Sequence, residues 1–248
     1  MIEWLESLST LAAGIVIVGG FLAATLLIGF LVDKLAPREV RIEHNDLVGF
    51  ILAVIGVIYA VLLAFVTFGV WERFQLAEAR TYEEAGKLAV IYRDAASFPQ
   101  QHALRAALRT YVVGVIKDEW PQMARGGQSP RADALLEEVD RVVRTLPVDS
   151  PARQDLHARM LASLDGALAD RDGRLSEDAT GINGIMWTVL LVGAFITIGF
   201  TCLFGFRRNI MQQLMTGALG FLIGLLLFLI VALNYPYRGS ITVSPHAF

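Results

Sequence analysis

Charge is absent from four long stretches of this sequence. Residues 11–32, 47–70, 185–204 and 214–233 contain no Asp, Glu, Lys or Arg. A helix rises about 1.5 Å per residue, so about 20 such residues cross a hydrocarbon core of about 30 Å. A soluble core helix of that length would carry a polar face. The missing charge also argues against a pump or proton-driven carrier, which needs ionisable groups within the membrane. Cysteine is nearly absent: Cys202 is the only one, which excludes an intramolecular disulfide. The four histidines, His44, His102, His157 and His246, are scattered. None pairs with a carboxylate or cysteine at metal-ligand spacing, so no metal and no cofactor are expected, and all four read as surface residues. No GxSxG, Walker A or HExxH motif occurs, and no convergent set of titratable groups suggests an enzyme. A net charge of −3 offers nothing to nucleic acid. No period-two pattern marks a strand. No basic n-region opens the chain, and Glu3 and Glu6 come first, so the first apolar run is expected to stay as a helix.

The remaining sequence is sharply segregated: 55% of the 248 residues are apolar, gathered toward the two ends, while most of the 18% that are charged fill the middle. Trp71, Trp187, Tyr235 and Tyr237 stand at run ends, where amphipathic rings favour the headgroup level. Residues 33–46, with Pro37, and 206–213 are short polar connections that force antiparallel hairpins. Residues 71–183 are too long and too polar for a loop. Phe74, Ala77, Thr81, Ala85, Leu88 and Tyr92 follow a helical period, and no Pro or Gly interrupts the chain between the second run and Gly86. The second run therefore continues as one long helix. Leu104, Leu108, Tyr111, Val112 and Val115 mark another helix that stops near Pro121. Gly126-Gly127 reads as a loop. Ser129-Pro130 and Ser150-Pro151 read as helix starts, a capping hydroxyl followed by a proline that loses no needed donor. Leu135, Val139, Val142 and Leu146 line one of these helices, and Leu156, Met160, Leu164 and Leu168 the next.

The expected fold is an all-α, multi-pass integral membrane protein with four transmembrane helices and a helical domain inserted between the second and third. Residues 1–70 hold helices one and two, 71–183 the extramembrane domain, and 184–248 helices three and four with a C-terminal tail. The short connections carry Lys34, Arg38, Arg41, Arg207 and Arg208. The other side carries Arg73, Arg80, Lys87, Arg171, Arg174 and Arg238. The denser basic loops lean toward an extracytoplasmic middle domain.

Val57, Val61 and Phe65 recur every four residues and stack along one face of the second run. Such a stack can form a hydrophobic constriction around an axis, or can simply pack against a neighbouring helix or lipid. Gly220 and Gly224, with Gly217 beside them, form a small-xxx-small seam that permits close helix packing. Asp170, Asp172, Glu177 and Asp178 lack the EF-hand pattern and read as a solvated acidic face. Glu83 and Glu84 point about 100° apart on a helix, a poor catalytic pair. Trp120 reads as a packing anchor.

The stretch LLAFVTFGVWERF, residues 62–74, resembles the second membrane helix of bacterial bestrophins. Phe65 falls in the apolar run, Trp71-Glu72-Arg73-Phe74 matches the aromatic-Glu-Arg-aromatic motif, and Glu78-Ala79-Arg80 matches a following triplet displaced by about two residues. Over nearly its whole length the chain resembles the bestrophin-like domain family. The features are Glu84-Ala85, Tyr111, Glu119-Trp120-Pro121, Arg174-Leu175, Trp187, Pro236-Tyr237-Arg238-Gly239 and Val243-Ser244-Pro245. The resemblance implies a homo-oligomer, a pentamer in bestrophins, that conducts small inorganic ions, mainly anions. Val57, Val61 and Phe65 would form its neck, with Glu72 and Arg73 near one mouth. It also implies a cytoplasmic middle domain, opposite to the lean of the charges. The competing expectation is a non-conducting, membrane-anchored interaction or sensor protein.

Overall fold

The computed structural model describes residues 10–35, 41–42, 44–204, 209–239 and 241–248. Glu3, Glu6, Pro37, Arg38, Arg207 and Arg208 lie outside these residues. Among the described residues the regular structure is entirely helical: α1 (Thr10–Leu35), α2 (Asn45–Asp94), α3 (Gln101–Gly114), α4 (Trp120–Met123), α5 (Pro130–Arg144), α6 (Pro151–Ala179), α7 (Gly184–Cys202) and α8 (Asn209–Leu233). Short 3₁₀ turns occupy Ala95–Ser97 and Pro245–Ala247, and a π-helical turn, Val115–Glu119, joins α3 to α4. Among the described residues four helices are long and apolar enough to cross a membrane: α1, α2, α7 and α8. The second apolar run extends without a break, so that α2 is 50 residues long.

The chain divides into two compact units, Met1–Glu72 with Ile182–Asn234, and Arg73–Gly181 with Tyr235–Phe248. In the first unit, small residues set the helix spacing. A Cβ on Gly220 would fall against the Thr25 hydroxyl and 2.8 Å from Thr25 Cβ; one on Gly224 would lie 3.1 Å from Val18 Cα. Gly217 faces Leu22, and Gly14 faces Phe228. From Gly14 with Phe228 to Thr25 with Gly220, the α1 positions rise while the α8 partners fall, so the two helices are antiparallel. Tyr59 of α2 donates its hydroxyl to Leu190 O of α7 at 3.1 Å, and its ring fills the space a Cβ on Gly193 would need. Gly49 faces Phe204, so α2 and α7 are antiparallel too. Phe21 stacks on Phe195, and Gly29 faces Cys202, which makes α1 and α7 parallel. Asn183 caps α7 by accepting from Met186 N at 2.8 Å. At its other end, Arg41 and Gln212 both donate to Cys202 O, and Arg41 also pairs with Asp33 at 2.5 Å. Arg41 is thus a buried helix-end clamp.

In the second unit, Ser129 and Ser150 cap α5 and α6, each followed by proline at the first turn. The helix expected to stop near Pro121 ends two residues beyond it, at Met123. Its π turn absorbs an extra residue, and α4 carries the chain through Pro121 to Met123. Gly114 just before this turn lets Leu135 of α5 pack close, since a Cβ there would lie 2.5 Å from Leu135 Cδ1. The core is built from Leu88, Ile91, Leu104, Leu108, Met123, Leu136, Val139, Val143, Met160 and Leu164, and the tail adds Tyr237 and Val243.

Candidate functional site

The outward face of α2 in the first unit

Val57, Val61 and Phe65 are 64%, 49% and 72% exposed, whereas Tyr59, Leu63 and Val70 on the same helix are 5%, 4% and 3% exposed. At about 100° per residue the two sets centre roughly 180° apart. The buried set is the face with which α2 packs on its own unit, and the exposed set continues through Phe50, Val54 and Phe68 as one apolar stripe. Between the two faces, Gly56, Ala60 and Ala64 floor a groove of about 610 Å³ walled by Leu219, Leu222 and Leu226 of α8. Glu72 is exposed at the end of this unit's part of α2. Arg73 belongs to the second unit, where its Nη2 donates to Thr180 O at the C-cap of α6. Gly217, Gly220 and Gly224 are buried against α1, away from the stripe.

A buried charge network in the second unit

Arg174 of α6 has no exposed surface. Its Nε donates to Glu84 Oε2 at 2.8 Å, and its Nη2 donates to Glu84 Oε1 at 3.1 Å and Glu119 Oε1 at 2.6 Å. Its Nη1 points at Met123 Sδ, and the guanidinium carbon lies 4.9 Å from the Trp120 ring centre. Arg171 donates to Glu119 Oε2 and to Asp133 Oδ1 of α5 at 2.6 Å. Tyr111 donates to Glu84 Oε1 at 3.0 Å. Three carboxylates thus face two guanidiniums.

Burial pushes the Glu84 carboxyl above its ordinary range, an effect the Arg174 charge and the hydrogen bonds from Arg174 and Tyr111 only partly offset. Burial works to lower Arg174, but Glu84 and Glu119 outweigh it and leave the guanidinium more basic than usual. Burial and then the Glu84 charge push Tyr111 well up. With four of its five N–H donors engaged, Arg174 has little to offer a substrate, so the network fastens α2, α3, α6 and the π turn together.

The tail closes over this network. Trp120 donates its indole N–H to Val243 O at 3.2 Å and meets Tyr237 edge-on; Tyr237 donates to Ala77 O at 2.9 Å. Arg238 pairs with Asp178 at 3.1 Å. The acidic run is therefore solvated at Asp172, which is exposed, but not at its other three members. Asp170 and Asp178 are buried, with Asp170 held by Lys87, and Glu177 pairs with Arg80 at 3.2 Å. Among the described residues no group of three or more His, Cys, Asp or Glu could hold a metal ion. His44, His102 and His246 are exposed, while His157 is half-buried with Nε2 3.0 Å from Val143 O.

The structure brings together residues that the sequence presents separately: Glu84, Tyr111, Glu119, Trp120, Arg174, Tyr237, Arg238 and Val243. Arg171, Asp133 and Asp178 join them without having been singled out as partners. A signal was present. Ala77, Thr81, Glu84, Leu88 and Ile91 form one buried stripe, and so do Met160, Leu164, Ala167, Arg171, Arg174 and Asp178. Charges of complementary sign sitting on apolar stripes mark helices that meet through them.

The family model described as Bestrophin-like domain covers residues 19–248. No curated protein and no solved structure matches the chain.

Proposed function

Because the chain belongs to the bestrophin-like family, we propose that it is an oligomeric ion channel of the cell membrane whose α2 helices surround the pore. The observation that carries this reading is the exposed apolar stripe of Val57, Val61 and Phe65, set opposite the face with which α2 packs on its own unit. One such helix cannot enclose a conduit, so copies must assemble in a closed ring; by family likeness the ring is a pentamer. Around that axis the three side chains form a hydrophobic neck of the kind that gates by dewetting. Glu72 and Arg73 stand near one mouth, and the permeant species are small inorganic ions, anions by preference.

In this reading residues 1–70 and 184–233 supply four spans, and 71–183 form a helical domain inserted between the second and third. Gly217, Gly220 and Gly224 form the seam that lets α1 and α8 pack closely, leaving α2 free to face the axis. The test is native mass spectrometry of the purified protein together with single-channel recording in planar bilayers. A closed oligomer and discrete currents that differ between chloride and gluconate are expected. A monomer that passes no current in any salt would identify a membrane-anchored interaction or sensor protein instead.

A further inference from the structure

In the second unit, α2 and α3 leave between them a groove of about 500 Å³ that neither the pore reading nor the charge network uses. Its walls are Ala85, Leu88, Ala89, Leu108, Val112 and Val113, all apolar, with Phe248 of the tail beside them. Tyr92 and Arg109 also line the groove, and Arg105 stands beside them on the Tyr92 ring. Arg105 and Arg109 both lie over the Tyr92 ring, at 4.8 and 5.4 Å from its centre. Arg105 donates to Tyr92 O, and Arg109 to the Tyr92 hydroxyl. Among the described residues neither arginine has a carboxylate partner, unlike Arg153, Arg159, Arg171 and Arg174. Two guanidiniums stacked on one ring repel each other, and an anion between them would relieve that repulsion. The volume falls within the usual range for small-molecule sites, roughly 300–1,000 Å³.

We propose that this groove binds a medium-chain fatty-acid anion, its carboxylate on Arg105 and Arg109 and its chain along Leu88, Val112 and Val113 toward Phe248. The lining of α2 from Ala85 to Tyr92 covers about 10 Å at 1.5 Å per residue, which suits a chain of medium length. An acidic peptide fits less well. Both walls are helices whose main-chain groups are already paired, so the backbone amides of a peptide would find no partners in the groove. An alkyl chain brings none. A carboxylate on two guanidiniums gains charge-assisted, bidentate-type hydrogen bonds.

The experiment uses the full chain in nanodiscs of zwitterionic lipid and a dodecanoate bearing a diazirine, with labelled positions mapped by mass spectrometry. Saturable labelling within residues 85–113 is expected, displaced by dodecanoate and at least about tenfold less well by dodecanol. Arg105→Gln with Arg109→Gln should weaken labelling by about tenfold or more. Ala89→Trp, at an exposed position on the groove wall, should abolish it. Labelling that does not saturate, that dodecanol displaces equally, or that survives the two arginine changes overturns the proposal. If Ala89→Trp lowers the melting temperature, the arginine pair alone decides. The readout is binding and not current, so it stands or falls independently of the channel reading.

Discussion

Arg174 Nε donates to Glu84 Oε2 at 2.8 Å, and neither side chain exposes any surface to solvent. The contact joins α6 to α2 across 90 positions of sequence. Because Arg174 also holds Glu119, the two partners are not equivalent. Arg174→Met strips the counter-charge from buried Glu84 and leaves buried Glu119 with Arg171 alone, and should cost about 3–5 kcal/mol. Glu84→Gln leaves Arg174 on Glu119 and keeps a similar shape, so it should cost clearly less. Chemical unfolding of the two variants in detergent, followed by far-UV circular dichroism, checks the asymmetry. Equal losses would mean that the network does not share Arg174 as described.

The same burial sets a pH dependence. Glu84, Glu177 and Asp178 all have carboxyls raised above their ordinary values, in each case first by burial. A raised carboxyl binds protons more readily in the folded chain than in the unfolded one. Between the unfolded and folded values the folded state therefore carries more protons, and stability falls as pH rises through that window. Mild acidification from neutral should raise the melting temperature until the ordinary carboxylate range is reached. Glu84→Gln should flatten part of that slope. Melting curves from pH 8 to pH 5 read both effects, and a wild-type slope of opposite sign would contradict them.

The four helices long and apolar enough to cross a membrane could be read from the sequence because a charge-free run of about 20 residues has few other uses. The unbroken α2 was legible from the lack of Pro or Gly before Gly86, and the starts of α5 and α6 from Ser129-Pro130 and Ser150-Pro151. The charge network was not. Glu84, Glu119 and Arg174 lie 55 and 90 positions apart in their pairings, and no local spacing rule connects them. Nor was the π turn ahead of Pro121, which re-phases the helix and turns both Glu119 and Trp120 inward. Asp170 and Asp178 misled because acidic residues on a helix are ordinarily solvated, and their cationic partners, Lys87 and Arg238, come from distant segments. The stripe of Val57, Val61 and Phe65 could be seen as a face of a helix. Which face of α2 its own unit leaves uncovered required the packing of Tyr59 and Leu63.

Gly220 leaves no room for a side chain against Thr25. Gly220→Val should overpack the α1–α8 contact and cost about 1–3 kcal/mol. Gly199→Ala on α7, where no atom lies within 4 Å of the added Cβ, is the matched control and should be near neutral. Thermal unfolding in the same detergent compares them. Equal melting temperatures would show that Gly220 does not set the α1–α8 distance.

The Trp120 indole holds the tail through Val243 O. Trp120→Phe keeps most of the ring packing on Tyr237 and removes that donor, at a cost of about 1 kcal/mol. Limited proteolysis should then cut the chain after Tyr237 faster than in the wild type while the rest of the second unit stays protected. An unchanged cleavage rate would mean that the hydrogen bond does not anchor the tail.

The central claim is that the exposed stripe of α2 faces a water-filled axis, and the single cysteine of the chain makes this directly measurable. In a Cys202→Ser background, single cysteines at Val61 and at Leu63 are exposed to a charged thiol reagent during bilayer recording. The account predicts that the reagent blocks or alters the current through the Val61→Cys protein and leaves the Leu63→Cys protein unaffected. Block at Leu63→Cys with none at Val61→Cys, or no current to block in either, would contradict it.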